Sequence, residues 1–346
     1  MRDLNIRQIV SFGADAGRGN LVGIQTDMSP TDYATAAAFQ AWLDGYLAAA
    51  QAQGWLNART IVVFPEYLGT WLVAADEGPA VTEASQVAVA IRNLILRHPL
   101  ALARCFLTSR APDRLRDSVF RLKATIMARA YHDTFSRLAA RYAVTIVAGS
   151  ILLPGARVAE GELHVTDGRL QNITAVYQPD GSPYSEIVRK VYPIADEIPF
   201  VAAGKPADLP VFDTPAGRLG VLICADSWYP RPYEVLRDKG AEIIAVPSYL
   251  SPTGVWQQPW RGYSGASAPD DVCQEDVGRL TEGEAWLKYA LAGRAPAAGF
   301  RHGINVFLRG ALWDLGADGH TVLVRDGQVI EAAHVDGAAL VNSWLT

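Results

Sequence analysis

The sequence predicts an α/β fold, a sheet covered by helices, and three observations predict it. Thr60-Ile61-Val62-Val63-Phe64 is a continuous apolar run, typical of a strand buried on both faces, and Pro65 stops it. An amphipathic helix with clear start signals precedes it. A second short run, Leu21-Val22-Gly23-Ile24-Gln25, stands before that helix, which completes strand, helix, strand.

The remaining elements follow in order. Ser29-Pro30-Thr31-Asp32 offers a helix N-cap, a proline at the first helical position and an acid at the third. Phe39, Trp42, Leu43, Tyr46, Leu47 and Ala50 then recur at the spacing of one helical face. Val87 to Arg129 reads poorly, although Arg114 to Tyr142 looks helical, with Val119, Leu122, Ile126, Leu138 and Tyr142 on one face. A strand at Val144–Gly149 follows. Shorter β-like pieces come at Leu170–Gln178, before a Pro179-Asp180-Gly181 turn, and at Ile187–Tyr192, before Pro193. Leu219–Cys224 is a buried-type strand, and a helix from about Pro232 to Lys239 ends at Gly240. Glu242–Val246 is the next strand. Thr281 to Glu284 opens a helix to about Ala292, and Ile304–Leu308 with Thr321–Arg325 close the sheet material.

Composition bounds the function. The 346 residues are 50% hydrophobic and 19% charged, which excludes disorder, a fibrous repeat and a disulfide mini-protein. At ~150 residues per domain two domains are allowed. With no internal repeat and no linker-like stretch, one domain over 1–346 is expected. The three cysteines, Cys105, Cys224 and Cys273, form no CxxC and cannot all pair, so a reducing, cytoplasmic setting is expected. A net charge of −5 argues against nucleic acid as a partner. Met1–Asn5 has no signal-peptide character, and Arg92, Arg97 and Arg104 interrupt the longest apolar stretch, so no spanning helix is expected.

Three residues carry the chemistry. Glu66 follows the Thr60–Phe64 strand, Lys190 lies in Ile187–Tyr192, and Cys224 ends Leu219–Ile223. Each alone reads as core or solvated surface. Together they suffice for acyl transfer. A thiol at its free pKa is only a few per cent thiolate near neutrality, so it needs a base or a cation. Glu66 can take its proton and return it to a leaving amine, while Lys190 stabilises the charge developing on the substrate. The six histidines are scattered without ligand spacing, so no metal is expected.

The segments IVVFPEYLGTW, YSEIVRKVYPIADE and GVLICADSWYP…GAEIIAVPS resemble the three signature regions of the nitrilase superfamily, the carbon–nitrogen hydrolases. The YQPDG turn and Arg294-Ala295 extend the likeness from about Leu21 to Ile330. The resemblance implies a four-layer αββα sandwich, a homodimer or higher homo-oligomer, and no cofactor. It assigns the catalytic Glu, Lys and Cys to Glu66, Lys190 and Cys224, and a substrate-positioning Glu to Glu197. Glu197 lies seven residues after Lys190, where eight is common, and Asp196 competes for the role. The backbone amide of Ala225 is implied for the oxyanion site. A Pro-Glu…Arg arrangement common after the Cys is altered: Pro230 is kept, but Arg231 and Glu234 stand exchanged, which reads as a structural i, i+3 pair.

Two segments look inserted. One, about 70–111, leads into a basic stretch, with nine Lys or Arg against Asp113 and Asp117 between Arg92 and Arg129. An amphipathic cover or dimer arm is expected there, with contact to an anionic membrane surface as the lesser alternative. The other, 251–276, has the length of a lid over a pocket. Tyr67, Trp71, Tyr192, Trp228, Tyr249 and Trp256 lie beside the motifs or in that loop. All but Trp256 join Ala225 as the substrate-binding candidates. Cys105 and Cys273 read as structural or incidental. The expected activity is hydrolysis of a small-molecule amide, ahead of a nitrile, through an acyl-enzyme. An N-acyltransferase using the same thioester stays open, as does a non-enzymatic interaction protein, which the intact triad opposes.

Overall fold

The computed structural model describes residues 3–346. Two six-stranded sheets form its centre. The first runs in the order Ile6–Phe12, Ala338–Trp344, Asn20–Gln25, Thr60–Val63, Thr145–Val147, Val176–Tyr177. The second runs Val211–Thr214, Gly217–Val221, Ile243–Ser248, His302–Phe307, Val322–Arg325, Gln328–Glu331. The helices are α1 (Ala36–Ala52), α2 (Pro79–Thr82), α3 (Val87–Arg97), α4 (Pro99–Thr108), α5 (Arg114–Tyr142), α6 (Pro230–Asp238), α7 (Glu282–Tyr289) and α8 (Leu291–Ala297).

Side-chain alternation along the strands sets the layers. Val22, Ile24, Val62, Phe64 and Ile146 point outward from the first sheet, to a core with Phe39, Trp42, Leu43 and Tyr46 of α1 and Tyr131 and Phe135 of α5. The alternate residues Leu21, Ile61, Val63 and Val147 point inward and join Val221, Ala245, Ile304 and Val306 of the second sheet. Gly23 marks how closely the sheets approach: a Cβ there would lie 2.7 Å from Ile304 Cδ1. Beyond the second sheet, Gly220 faces Leu236 of α6 and Gly303 faces Leu291 of α8. Helix, sheet, sheet and helix are the four layers of an αββα sandwich.

Several expectations shift at element boundaries. The Ser29 capping box closes on Asp32 as read, but it opens a 3₁₀ turn at Pro30–Tyr33. Helix α1 has its own cap, Thr35, whose hydroxyl accepts from Ala38 N at 3.0 Å. The helix expected at Pro232–Lys239 starts two residues earlier, with Pro230 at its first position. The helix opened at Thr281 breaks at Ala290 and resumes as α8. Only Val188–Arg189 of the expected Ile187–Tyr192 strand is paired. The sheet material does not close at Arg325: Ala338–Trp344 lies inside the first sheet, parallel to Ile6–Phe12 and antiparallel to Asn20–Gln25.

Residues 70–111 fold as a 3₁₀ turn at Thr70–Ala74 followed by α2, α3 and α4. A buried carboxylate fastens them. Glu77 receives Lys123 Nζ of α5 at 2.5 Å, His98 Nε2 at 2.9 Å and Arg97 Nε at 3.2 Å. Lys123 and His98 hold the Glu77 carboxyl below its usual range, against burial that acts to raise it. Much of the basic stretch is therefore internally paired, since Arg121 also meets the buried Asp117 at 2.6 Å. The segment covers the core through Ala90 and Leu94, but leaves Leu96, Leu100 and Leu107 at least 70% exposed. Among the described residues, no helix is long and apolar enough to cross a membrane.

Candidate active site

Strand ends aim the three candidate groups at one point between the sheets. Glu66 comes two residues after Phe64, and the chain turns at once, with Tyr67 at φ +61°. Its backbone is tied to both sheets' ends: Glu66 N donates to Ser248 O at 3.3 Å, and Tyr67 N to Ser150 Oγ at 2.9 Å. Lys190 leaves the short Val188–Arg189 strand, its N–H donating to Asn172 O at 2.9 Å. Cys224 opens a 3₁₀ turn, Cys224–Trp228, directly after the Gly217–Val221 strand, at φ +49°. A non-glycine residue in that left-handed region costs free energy, and such strain collects where a side chain must be presented sharply.

Asp226 holds that turn in place. Its Oδ1 accepts Val191 N at 2.9 Å and Tyr192 N at 2.7 Å, and its Oδ2 accepts Ile223 N at 3.2 Å. One carboxyl group thus ties the lysine segment to the cysteine turn. Burial pushes it up to about 7, although those three N–H groups and Lys190 favour its charged form.

Lys190 and two carboxylates form a buried cluster. Its Nζ stands 2.8 Å from Glu66 Oε1 and 2.7 Å from Glu197 Oε2, and all three side chains are at most 2% exposed. Asn172 Nδ2 spans the same pair from the other side, 3.0 Å from Glu66 Oε1 and 3.0 Å from Glu197 Oε1. Tyr249 N donates to Glu66 Oε2 at 3.1 Å, while Glu197 accepts Tyr67 Oη at 2.5 Å and Ile194 N at 2.9 Å. The Cys224 thiol donates to Tyr249 O at 3.7 Å.

These surroundings separate the two carboxyls. Burial raises Glu66, and the nearby Glu197 charge adds to this against the pull of Lys190. Glu197 is buried too, but Lys190 and the Tyr67 and Ile194 donors outweigh burial and hold it low. The two carboxylates outweigh the burial penalty on Lys190 and keep it a firm cation. Burial and the Glu66 charge push the Cys224 thiol well up. The resting site is therefore a neutral thiol beside an ammonium, with one fixed carboxylate and one ready to take a proton.

A cavity of about 710 Å³ opens on this cluster. Of the expected substrate-binding residues, Tyr67, Trp71, Ala225, Trp228 and Tyr249 line it. Ala225 is the second residue of its 3₁₀ turn, where a backbone N–H has no intrahelical acceptor. Tyr192 is not among the lining residues; its ring stacks at 3.7 Å on that of Tyr229, which is, and its N–H bonds Asp226. Trp256 is buried against Phe307 and His320 instead. Glu197, not the exposed Asp196, is the carboxylate that reaches Lys190. The exchanged Arg231 and Glu234 pair on the surface of α6 at 2.9 Å.

The 251–276 loop reaches the cavity through Ser251, Trp260, Tyr263 and Ser264. It is tied down by Tyr263 Oη to Trp228 O at 3.0 Å, Tyr229 Oη to Ala266 O at 3.1 Å, and an ion pair between Arg294 and Asp271. Sequence reasoning missed Asn172 and Asp226. The signal for Asn172 was an amide in the middle of the buried run Leu170–Thr174, and for Asp226 an acid just after the apolar Leu219–Cys224.

The chain is 41% identical over 66 residues to the deaminated glutathione amidase of Yersinia enterocolitica, covering 19% of this chain and 22% of that protein. It is 29% identical over 125 residues to the bifunctional nitrilase/nitrile hydratase NIT4B of Nicotiana tabacum, covering 36% and 32%. The matched stretches span only a fifth to two fifths of the curated relatives' lengths. In three dimensions the chain superimposes on a double mutant of the amidase from Nesterenkonia sp. AN1 in complex with acrylamide, with a TM-score of 0.56 at 14% identity, covering 96% of this chain and 93% of that one. The carbon–nitrogen hydrolase family profile matches residues 23–268, most of the chain. On the strength of that match, the chain belongs to the carbon–nitrogen hydrolase family.

Proposed function

We propose that the chain hydrolyses a small-molecule amide, in preference to a nitrile, through an acyl intermediate on Cys224. The observation that carries this is the Lys190 ammonium held between Glu66 and Glu197 at 2.8 and 2.7 Å, in the same cavity as the cysteine. A thiol held this far up is not a nucleophile at rest, so the reading requires a base. Glu66, raised by burial, supplies it.

In this mechanism Glu66 takes the Cys224 proton as Sγ bonds to the carbonyl carbon. The oxygen becomes an oxyanion facing Lys190 Nζ and the free N–H of Ala225. Glu66 passes the proton to the nitrogen, the C–N bond breaks, and ammonia or an amine leaves a thioester. Water then attacks, Glu66 taking its proton and returning it to the departing thiol. Glu197 stays ionised throughout and positions Lys190. Tyr67, Trp71, Trp228 and Tyr249 wall the substrate. A nitrile would enter by the same attack, as a thioimidate. The complex of the Nesterenkonia amidase with acrylamide supports placing an amide first.

The test is ammonia release from a panel of amides and nitriles, with intact-mass detection of a Cys224 adduct. Turnover by Cys224→Ala equal to that of the parent would overturn the reading. An adduct discharged only by an added amine would move it to an acyltransferase. Three further expectations belong to the same proposal: a single domain enlarged at 70–111 and 251–276, a homodimer, and a cytoplasmic setting. Light scattering tests the dimer.

A further inference from the structure

Resting on that reading, we infer that the substrate's acyl part is an extended hydrocarbon, seated in an apolar arm built by residues 70–111 and α5. The cavity that holds Cys224 does not stop at the catalytic groups. It continues between Val81, the inner face of α3 at Ala90, Ile91 and Leu94, and α5 at Val119 and Phe120. Ala90 and Leu94 are one helical turn apart, so they present one wall.

The size matters. A pocket of ~300–1,000 Å³ accommodates a drug-sized ligand. At about 710 Å³ this cavity far exceeds the needs of acetamide or ammonia. The walls matter equally. Glu77 and Lys123, the charged groups beneath this region, neutralise each other away from the cavity lining. The one cation that α5 adds to the lining, Arg116, is already engaged: Asp113 lies 3.4 Å away, and the guanidinium sits over the Phe200 ring at 5.6 Å. Apolar walls of this kind bind methylenes, although the exposed Arg116 and Asp196 also belong to the lining.

The arm is tested with a series of straight-chain primary amides, from acetamide through butyramide and hexanamide to octanamide. Each added methylene should raise kcat/KM by about fourfold until the arm is filled. Ala90→Trp should lower the octanamide-to-acetamide ratio at least tenfold. Ile91→Trp is the second variant, in case the first does not fold. Apart from turnover, octanoate should protect Cys224 from iodoacetamide at far lower concentration than acetate.

A series that is best for acetamide, or equal protection by the two acids, overturns the arm. So does a preference for a carboxylate-tipped amide such as succinamate, which would make Arg116 the recognition group. Absence of ammonia from every amide and of any Cys224 adduct instead overturns the hydrolase reading on which the arm depends.

Discussion

The ammonium of Lys190 stands 2.7 Å from Glu197, a residue only seven positions further along the chain. The contact does two things at once. It keeps the lysine charged in a site where burial favours losing that charge, and it sets a second negative charge close to Glu66. Glu197→Gln should therefore lower kcat by about a hundredfold while KM moves less, as expected for a group acting through Lys190. It should also shift the acid limb of the pH profile to lower pH, because the Glu197 charge raises Glu66. Equal losses in kcat and 1/KM with an unmoved limb would point to a merely structural role.

The wild-type pH profile follows from Glu66. Its folded pKa lies above the ordinary glutamate value of 4.5, and the base works only when ionised. On the proposed mechanism, activity should be full on the alkaline side and fall as pH drops through the raised value. The half-maximal point of kcat/KM should sit above 4.5. Glu66→Gln keeps the shape of the side chain but cannot take the thiol proton, and should cost about 10²–10⁴-fold in kcat. Ammonia release across a pH series checks both.

Asp226 offers a stability test with a definite sign. Burial raises its folded pKa from 3.8 to about 7, so the folded state binds that proton more tightly than the unfolded chain. Stability from this group therefore falls as pH climbs between those values and levels off above about 7. Asp226→Asn removes that dependence but turns an amide donor toward N–H groups, at a cost of about 1–3 kcal/mol. Urea titrations should show the variant less stable at pH 5, with a smaller gap at pH 8, and kcat should fall as the cysteine turn loosens.

Glu77 behaves in the opposite sense. Its folded pKa is depressed, so its contribution is present above 4.5 and lost as pH falls through the lower folded value. Glu77→Gln leaves Lys123 buried without a counter-charge and should cost about 3 kcal/mol. Its acid-unfolding limb should flatten. Hydrogen exchange in α3 and α4 should rise first if the carboxylate fastens this segment.

The sequence was most legible where apolar runs meet a chemically distinct residue. Thr60–Phe64 before Glu66 and Leu219–Ile223 before Cys224 declare both a strand and its end. The long α5 was legible as a helix but not in its buried face, since Ile126 is 52% exposed while Lys123, Met127 and Tyr131 are buried; Arg231 with Glu234 showed through their spacing. Legibility failed where structure depends on distant partners. Ile6–Phe12 buries alternate residues only in part, and its neighbour Ala338–Trp344 lies more than three hundred residues away, so neither pattern announces a sheet. Tyr192 lies two residues from Lys190 in sequence, yet its ring packs on Tyr229 rather than lining the cavity itself. Asn172 was hidden because its partners, Glu66 and Glu197, belong to other segments.

The fastening of residues 70–111 at Glu77 has a consequence for how this chain could change. The carboxylate anchors the segment to α5 from beneath, whereas Ala90, Ile91 and Leu94 face the cavity from above. Their sizes can vary while the anchor and the strand ends bearing Glu66, Lys190 and Cys224 stay as they are. On the proposed reading, the share of selectivity set by α3 is separable from the strand ends, and a laboratory library confined to α3 would explore it while leaving Glu66, Lys190 and Cys224 untouched.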